Sequence, residues 1–323
     1  MASVTKAGIR PVIHTRTMVD TLFVEHLPQR PMRDPNHSIA IIGAGAVGRA
    51  MAEAALGADW PVSVLVTRRP AACDWMDSSR TLITDDRSAV SRAQTVLICV
   101  PDDHVMATAS TLSVAPGTIV AHTAGSLGLD AITTPNAHAG SIHPVMVLMP
   151  GGRRAEALPG AVAAVDGDAI SAPWLRSLAI DLGMTPVQID PAQRTQHHLA
   201  AALAGGLLTG ILADAVRLWT DAGVPTSVAS SALGLMVQEI GRTMRITDGP
   251  GPVMGPAARG DAGTIRKHLE VLHQQYPEIA PAYQSLVERC VDWSLANGTL
   301  EANSAQAVQS LLHSDSLTTP DAS

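Results

Sequence analysis

With 323 residues, 46% of them hydrophobic, the chain is long enough to bury a sizeable core and to form two domains. A formal net charge of -7, no basic stripe and an aromatic content of 2% exclude nucleic acid as the expected partner, since little positive charge faces phosphate and few rings offer stacking platforms. Cys73, Cys99 and Cys290 are widely spaced with no C-x-x-C pair, which predicts reduced thiols in a cytoplasmic protein and no zinc site.

Residues 1–37 carry prolines and mixed charges with little periodicity and are expected to be an extension, partly disordered or packed over the surface. Lys6, Arg10, His14, Arg16 and Asp20 interrupt any apolar core of signal-peptide type. Ile39 to Ile42 is an uncharged apolar run, as in a central strand buried on both faces of a parallel sheet. Gly43, Gly45 and Gly48 follow at G-x-G-x-x-G spacing, ahead of an Ala-rich amphipathic stretch from Arg49 to Leu56. The first glycine permits a tight turn, the second lets backbone approach a pyrophosphate, and the third allows close helix packing. Gly43, Gly45, Ala46, Val47 and Gly48 are therefore expected to bind a dinucleotide, with the helix amides facing the phosphates.

Pro61 to Val66 reads as the second strand, leaving through Thr67, Arg68 and Arg69. An NAD site usually places Asp or Glu there for the ribose 2′-hydroxyl, whereas a hydroxyl and two guanidinium groups suit a 2′-phosphate, so NADP is favoured over NAD. The alternative is a solvated basic loop. Further strands are predicted at Thr81–Thr84, Thr95–Val100, Gly117–His122, Ser141–Val145, Ala161–Val165 and Pro186–Ile189, with a helix from Ala172 to Leu182, an α/β pattern. Val100 and Pro101 would lie near the cofactor, while Asp102 and Asp103 read either as acids or as a helix N-cap.

The character changes at Pro191. A long Ala/Gly/Leu segment, Gln193–Ala222, is predicted helical, with helices at Ser227–Thr243 and Thr264–Gln275 separated by a Gly/Pro-rich loop. The apolar run Leu199–Ala213 falls short of the about 18 residues needed to cross a bilayer and ends at Asp214 and Arg217, so it is expected to be a buried helix and no membrane association is expected. The division is an extension (1–37), a Rossmann-type doubly wound domain (38–190), an all-α substrate or dimerisation domain (191–302) and a flexible tail (303–323).

A nicotinamide enzyme needs a proton donor beside the reacting carbon, and histidine suits that role near neutral pH. His143 leads because it follows a strand expected at the ligand edge, with His122 and His198 next; each could equally be structural. In an isolated helix His198, Ala202 and Gly205 share a face and His197 projects elsewhere. Arg259 offers a fork for a substrate carboxylate with Asp261 orienting it, or Asp261 caps the helix near Thr264 and Arg259 pairs with it. No clustered metal-ligand pattern, Walker loop or nucleophile elbow is present.

IIGAGAVGRAMA, LICVPDDHV, AHTAGSLG, SIHPVM, the helix through Gln196-His197-His198-Leu199 and GPAARGDAGTIRKHL together resemble the Rossmann-like proteins that carry the helical domain DUF2520, over roughly Ser38 to Val291. The resemblance implies an NADP-binding domain followed by an all-α domain like that of 6-phosphogluconate dehydrogenase relatives, often dimerised through helices, in proteins usually described as oxidoreductases. The glycine loop is similar to ketopantoate reductases, but their catalytic Lys, with Asn four residues later, is matched only by His198 and Ala202. Ser126 and the His143-Pro144 pair resemble prephenate dehydrogenases, and the short Gly/Ala helices resemble pyrroline-5-carboxylate reductases. The expectation is a homodimeric, NADPH-dependent reductase of a small carboxylated carbonyl compound, ketopantoate first. His143 would give the proton, Ser126 hold the oxygen, His198 close the site, and Arg259, Asp261 and His122 bind substrate. An imine reductase, a prephenate-dehydrogenase-like enzyme and a non-catalytic NADP-binding regulator are the alternatives.

Overall fold

A computed structural model describes residues 37–149, 155–247, 249 and 251–313. The expected N-terminal extension up to residue 36 and the last ten residues of the expected tail, 314–323, lie outside the described residues. Two compact units meet in the chain between Gly210 and Ile211.

The first unit holds eight strands: β1 (Ile39–Ile42), β2 (Val62–Val66), β3 (Leu82–Thr84), β4 (Thr95–Ile98), β5 (Ile119–His122), β6 (His138–Val145), β7 (Val162–Gly167) and β8 (Thr185–Val187). They form one sheet in the order β3-β2-β1-β4-β5-β6-β7-β8, parallel throughout except where β6 meets β7. The doubly wound class expected from the sequence is the one observed, and the strand order reverses between β1 and β4, where such sheets take ligands beyond their carboxyl ends.

Alternation along the strands divides the core. Ile39 and Ile41 point with Leu65, Leu97 and Ile142 to one face, covered by α1 (Ala46–Gly57) and α3 (Ser171–Asp181). Ala40 and Ile42 point with Val64, Val96 and Val120 to the other, covered in part by α2 (Asp102–Ala109). On β6 this puts Ile142 in the first layer and leaves Ser141 and His143 on the opposite face.

The chain continues through α4 (Arg194–Ala202), a π-helical turn (Leu203–Leu207) and α5 (Leu208–Asp221). The all-α second unit adds α6 (Thr226–Thr247), α7 (Pro256–Arg259), α8 (Ala262–Gln275), α9 (Ala280–Ala296) and α10 (Ala302–Leu312). Its core joins Ala257, Ile265, Leu269, Val287, Val291, Leu300, Ala305, Val308 and Leu311.

Three expectations are corrected. The flexible tail does not begin at residue 303: α10 continues to Leu312, because Ala305, Val308 and Leu311 fall on one helical face and bury it in this core. The first unit does not end at residue 190, because a buried ion pair, Arg194 to Asp166 on β7 at 2.7 Å, fastens α4 to the sheet. Leu199–Ala213 is not a buried helix either: Leu199, Leu203, Leu207 and Ile211 recur every four residues along one stripe and are 55%, 57%, 57% and 41% exposed. By length and composition the helical run Pro191–Asp221 is apolar enough to cross a membrane.

Candidate functional site at the carboxyl edge of the sheet

The glycine loop leaves β1 directly into α1. Gly43 has φ +106°, and a Cβ there would stand 2.3 Å from the Cys99 carbonyl oxygen; one at Gly48 would stand 1.8 Å from the Gly43 oxygen. Both positions therefore require glycine, one for its dihedral and both for close packing. Gly45 differs: a Cβ there would meet nothing within 4 Å, so this glycine borders open space. It is the N-cap of α1, with no side chain capping the helix and no acidic residue in the first turn. The amides at this terminus are left without side-chain acceptors, in a field that favours anions, and the cradle fits a pyrophosphate.

Neighbouring strand ends bring further residues to the same edge. Gly43 N–H donates to Val66 O, Thr67 N–H to Thr84 O, Cys99 N–H to Ile42 O and Thr123 N–H to Ile98 O. The loops after β1, β2, β4 and β5 are thus laced together. Arg68 and Arg69 emerge exposed just after Thr67, and Val100 and Pro101 precede α2. Asp102 is not an N-cap; it lies in the first turn of α2 and accepts a hydrogen bond of 2.5 Å from the Ser126 hydroxyl. With its proton committed to Asp102, Ser126 offers the site an acceptor, which conflicts with its expected role as donor to a substrate oxygen.

His143 is held from three sides. Across the antiparallel pair it faces Ala164, a small residue that leaves room for the ring, while Ser141 faces Asp166. Arg194 pairs with Asp166 and donates at 3.4 Å to the Ser141 hydroxyl, so α4 starts over the face that carries His143. One turn on, His197 Nε2 lies 3.3 Å from His143 Nδ1, the rings edge to face at 5.5 Å between centroids. His198 lies 6.3 Å from His143 by centroids. Beneath the ring is Gly125, where a Cβ would sit 2.6 Å from His143 Cε1.

The electrostatics keep the His143 and His197 rings neutral. Burial pushes His143 down to about 4, reinforced by His197, His198 and Arg194 and opposed by the Asp102 carboxylate. Burial and the Arg194 guanidinium also hold His197 below the ordinary histidine range. A neutral imidazole N–H can polarise a carbonyl and pass on a proton.

His122 lies inside the fold. It is fully buried, and its Nε2–H donates to the Gly128 carbonyl at 3.0 Å, so the ring orders the loop after β5. Arg259 and Asp261 belong to the second unit. Asp261 caps α8 through Thr264 N–H at 3.0 Å and the Thr264 hydroxyl at 2.7 Å, and these bonds hold its carboxyl below the usual range. The helix it caps starts at Ala262, and Arg259, exposed, closes α7 beside it. Sequence reasoning did not single out Gly125, Asp166, Arg194 or His197 as site residues. The i, i+3 spacing of Arg194 and His197 was the available signal, but it becomes informative only once Arg194 is anchored.

A Rossmann-like domain model matches residues 26–148, and the model of DUF2520, a domain of unknown function, matches residues 161–290. No curated protein matches the sequence. Among solved structures the chain is similar to a Bacteroides fragilis protein named as an NADP oxidoreductase, at 19% identity and TM-score 0.67 over 80% of this chain and 99% of that one. It is also similar to Streptococcus pyogenes 1-pyrroline-5-carboxylate reductase, at 14% identity and TM-score 0.55 over 82% and 100%. A reductive aminase from Aspergillus terreus in complex with NADPH and ethyl levulinate matches at 16% identity and TM-score 0.58, over 85% and 99%. The chain belongs to the proteins that join a Rossmann-like domain to a DUF2520 domain.

Proposed function

We propose that the chain is an NADPH-dependent reductase of a small carbonyl compound, working at the carboxyl edge of its sheet. One observation carries this reading: an uncapped, glycine-lined helix N-terminus after β1 and a neutral imidazole on β6, held by three neighbours just beyond the end of β5, stand at the carboxyl edge of one sheet. The amides of Ala46, Val47 and Gly48 would take the pyrophosphate, and Thr67, Arg68 and Arg69 the 2′-phosphate. When bound, the nicotinamide group supplies the hydride. His143 Nε2–H polarises the substrate oxygen and gives it a proton. A 2-keto acid, with ketopantoate as first candidate, offers the carbonyl oxygen that such a proton donor needs.

The fold neighbours named for pyrroline-5-carboxylate and reductive amination favour a second reading, reduction of a C=N bond. A cationic iminium needs no proton at the reacting step, so loss of His143 would cost such a reaction far less. NADPH oxidation followed by absorbance across 2-keto acids and cyclic imines, with NADH in parallel, separates the two. Tight NADPH binding with silence across the panel would favour a non-catalytic regulator.

We also propose that a second copy of the chain covers the apolar helices. Of the twenty-two residues of α6 only Ala229 is buried, while Val228, Leu235, Met236, Ile240, Met244 and Ile246 are 46% to 66% exposed. By helix rise α6 is about 33 Å long, and its exposed Leu, Ile, Val and Met side chains are an apolar surface of the kind that marks a protein–protein contact. An isolated helix does not sustain such a surface in water.

A further inference from the structure

We infer that His197 is a proton relay between His143 and solvent, an assignment that rests on the reading of His143 as the proton donor of a reductase. The geometry is specific. His143 Nδ1 and His197 Nε2 lie 3.3 Å apart, within reach of one shared proton, which leaves His143 Nε2 for a substrate. His143 cannot refill itself from water through Nδ1, because that atom is occupied by His197, and Gly125 closes beneath the ring. His197 is the more open of the two, half-buried on a helix whose preceding residue, Gln196, is exposed.

The proton count closes without a charged ring. At the start His143 carries hydrogen on Nε2 and His197 on Nε2, the latter donated to His143 Nδ1. As His143 Nε2 gives its proton to the substrate oxygen, Nδ1 takes the proton of His197 Nε2, and His197 gains one from water at its Nδ1. Both rings end neutral with hydrogen on the other nitrogen, and one solvent proton has reached the product hydroxyl. The groups facing the pair favour this neutral exchange. Arg194 and His198 on α4 oppose an imidazolium at either position, while the Asp102 carboxylate of α2 acts against them at His143. The Arg194–Asp166 pair, nearly buried, sets the height of His197 above the sheet.

Histidine-selective ¹⁵N labelling of the full chain reads the bond between His197 and His143 without any substrate, through the tautomer of His143. In His197→Gln the side-chain amide can still donate to Nδ1 but cannot pass a proton through, so His143 should keep hydrogen on Nε2. In His197→Ala the tautomer should become mixed. Once a turnover substrate is known, His197→Gln should lose about tenfold or more in kcat with little change in KM, and imidazole should restore part of the activity of His197→Ala. A His143 tautomer unmoved by His197→Ala, or a kcat unmoved by His197→Gln, would overturn the relay while leaving His143 as donor untouched. Full turnover in His143→Gln would remove the reading beneath it, whatever His197 does.

Discussion

Gly125 and His143 compete for one volume: a Cβ on Gly125 would stand 2.6, 2.8 and 2.9 Å from His143 Cε1, Nδ1 and Nε2. The loop after β5 therefore sets the ring of β6, and the absent side chain is the device. Gly125→Ala should displace the imidazole from His197 and from substrate, lowering turnover by about a hundredfold, the order expected for a misplacement near 1 Å. NADPH affinity should hold, since the glycine loop is elsewhere. Equilibrium dialysis beside steady-state rates checks both halves.

The two arginines after β2 should decide the cofactor. Replacing Arg68 and Arg69 with Ala removes two charged contacts to a 2′-phosphate, worth about 1.5–3 kcal/mol each, so the Kd for NADPH should rise at least about tenfold per arginine while that for NADH stays level. Fluorescence titration of both cofactors reads it, and equal weakening would assign the arginines to general electrostatics.

Arg194 and Asp166 are 6% and 12% exposed as side chains, so removing one strands the other. Arg194→Met and Asp166→Asn should each destabilise the chain by about 3–5 kcal/mol, whereas the double variant should recover part of the loss. Denaturant unfolding of the three variants measures the coupling.

Acid should weaken the fold through the same histidines. His143 stays neutral down to about 4 when folded, while in the unfolded chain it takes a proton near 6.5. Between those values the unfolded state binds more protons, so stability falls as pH drops through this window. His122 and His197 are shifted in the same direction and add to the effect. The fall in Tm between pH 7 and pH 5 should be smaller in His143→Gln than in the wild type.

A charge on the open face of α6 should separate two copies. Ile240, 57% exposed, has little to lose as Glu within one chain, but it would desolvate a carboxylate in an interface. Sedimentation should find a dimer for the wild type and a monomer for Ile240→Glu. A monomeric wild type that binds lipid vesicles would assign the face to a membrane surface instead.

Most of the sheet was legible in the sequence because its strands are short, uncharged apolar runs punctuated by glycine and proline, and all eight lie close to where the pattern puts them. β6 starts at His138 instead of Ser141, since pairing with β5 extends it through residues that carry no apolar signal. α10 was hidden because its buried face is only Ala305, Val308 and Leu311, interleaved with Asn303, Ser304, Gln306, Gln309 and Ser310. The glycine cradle was readable because each glycine has a local reason. The surroundings of His143 were not, since they depend on cross-strand register, Ser141 with Asp166, and on the anchoring of Arg194, which together turn His197 toward the site. A helical wheel alone placed His198 on the inner face and sent His197 away.

The most direct measurement is the rate of NADPH oxidation with 2-keto acids for the wild type and His143→Gln, with NADPH affinity determined on both. Turnover of a 2-keto acid by the wild type, reduced by about 10²–10⁴-fold in the variant at unchanged affinity, is the predicted result. Equal turnover in the two proteins, with cofactor bound alike, would contradict it.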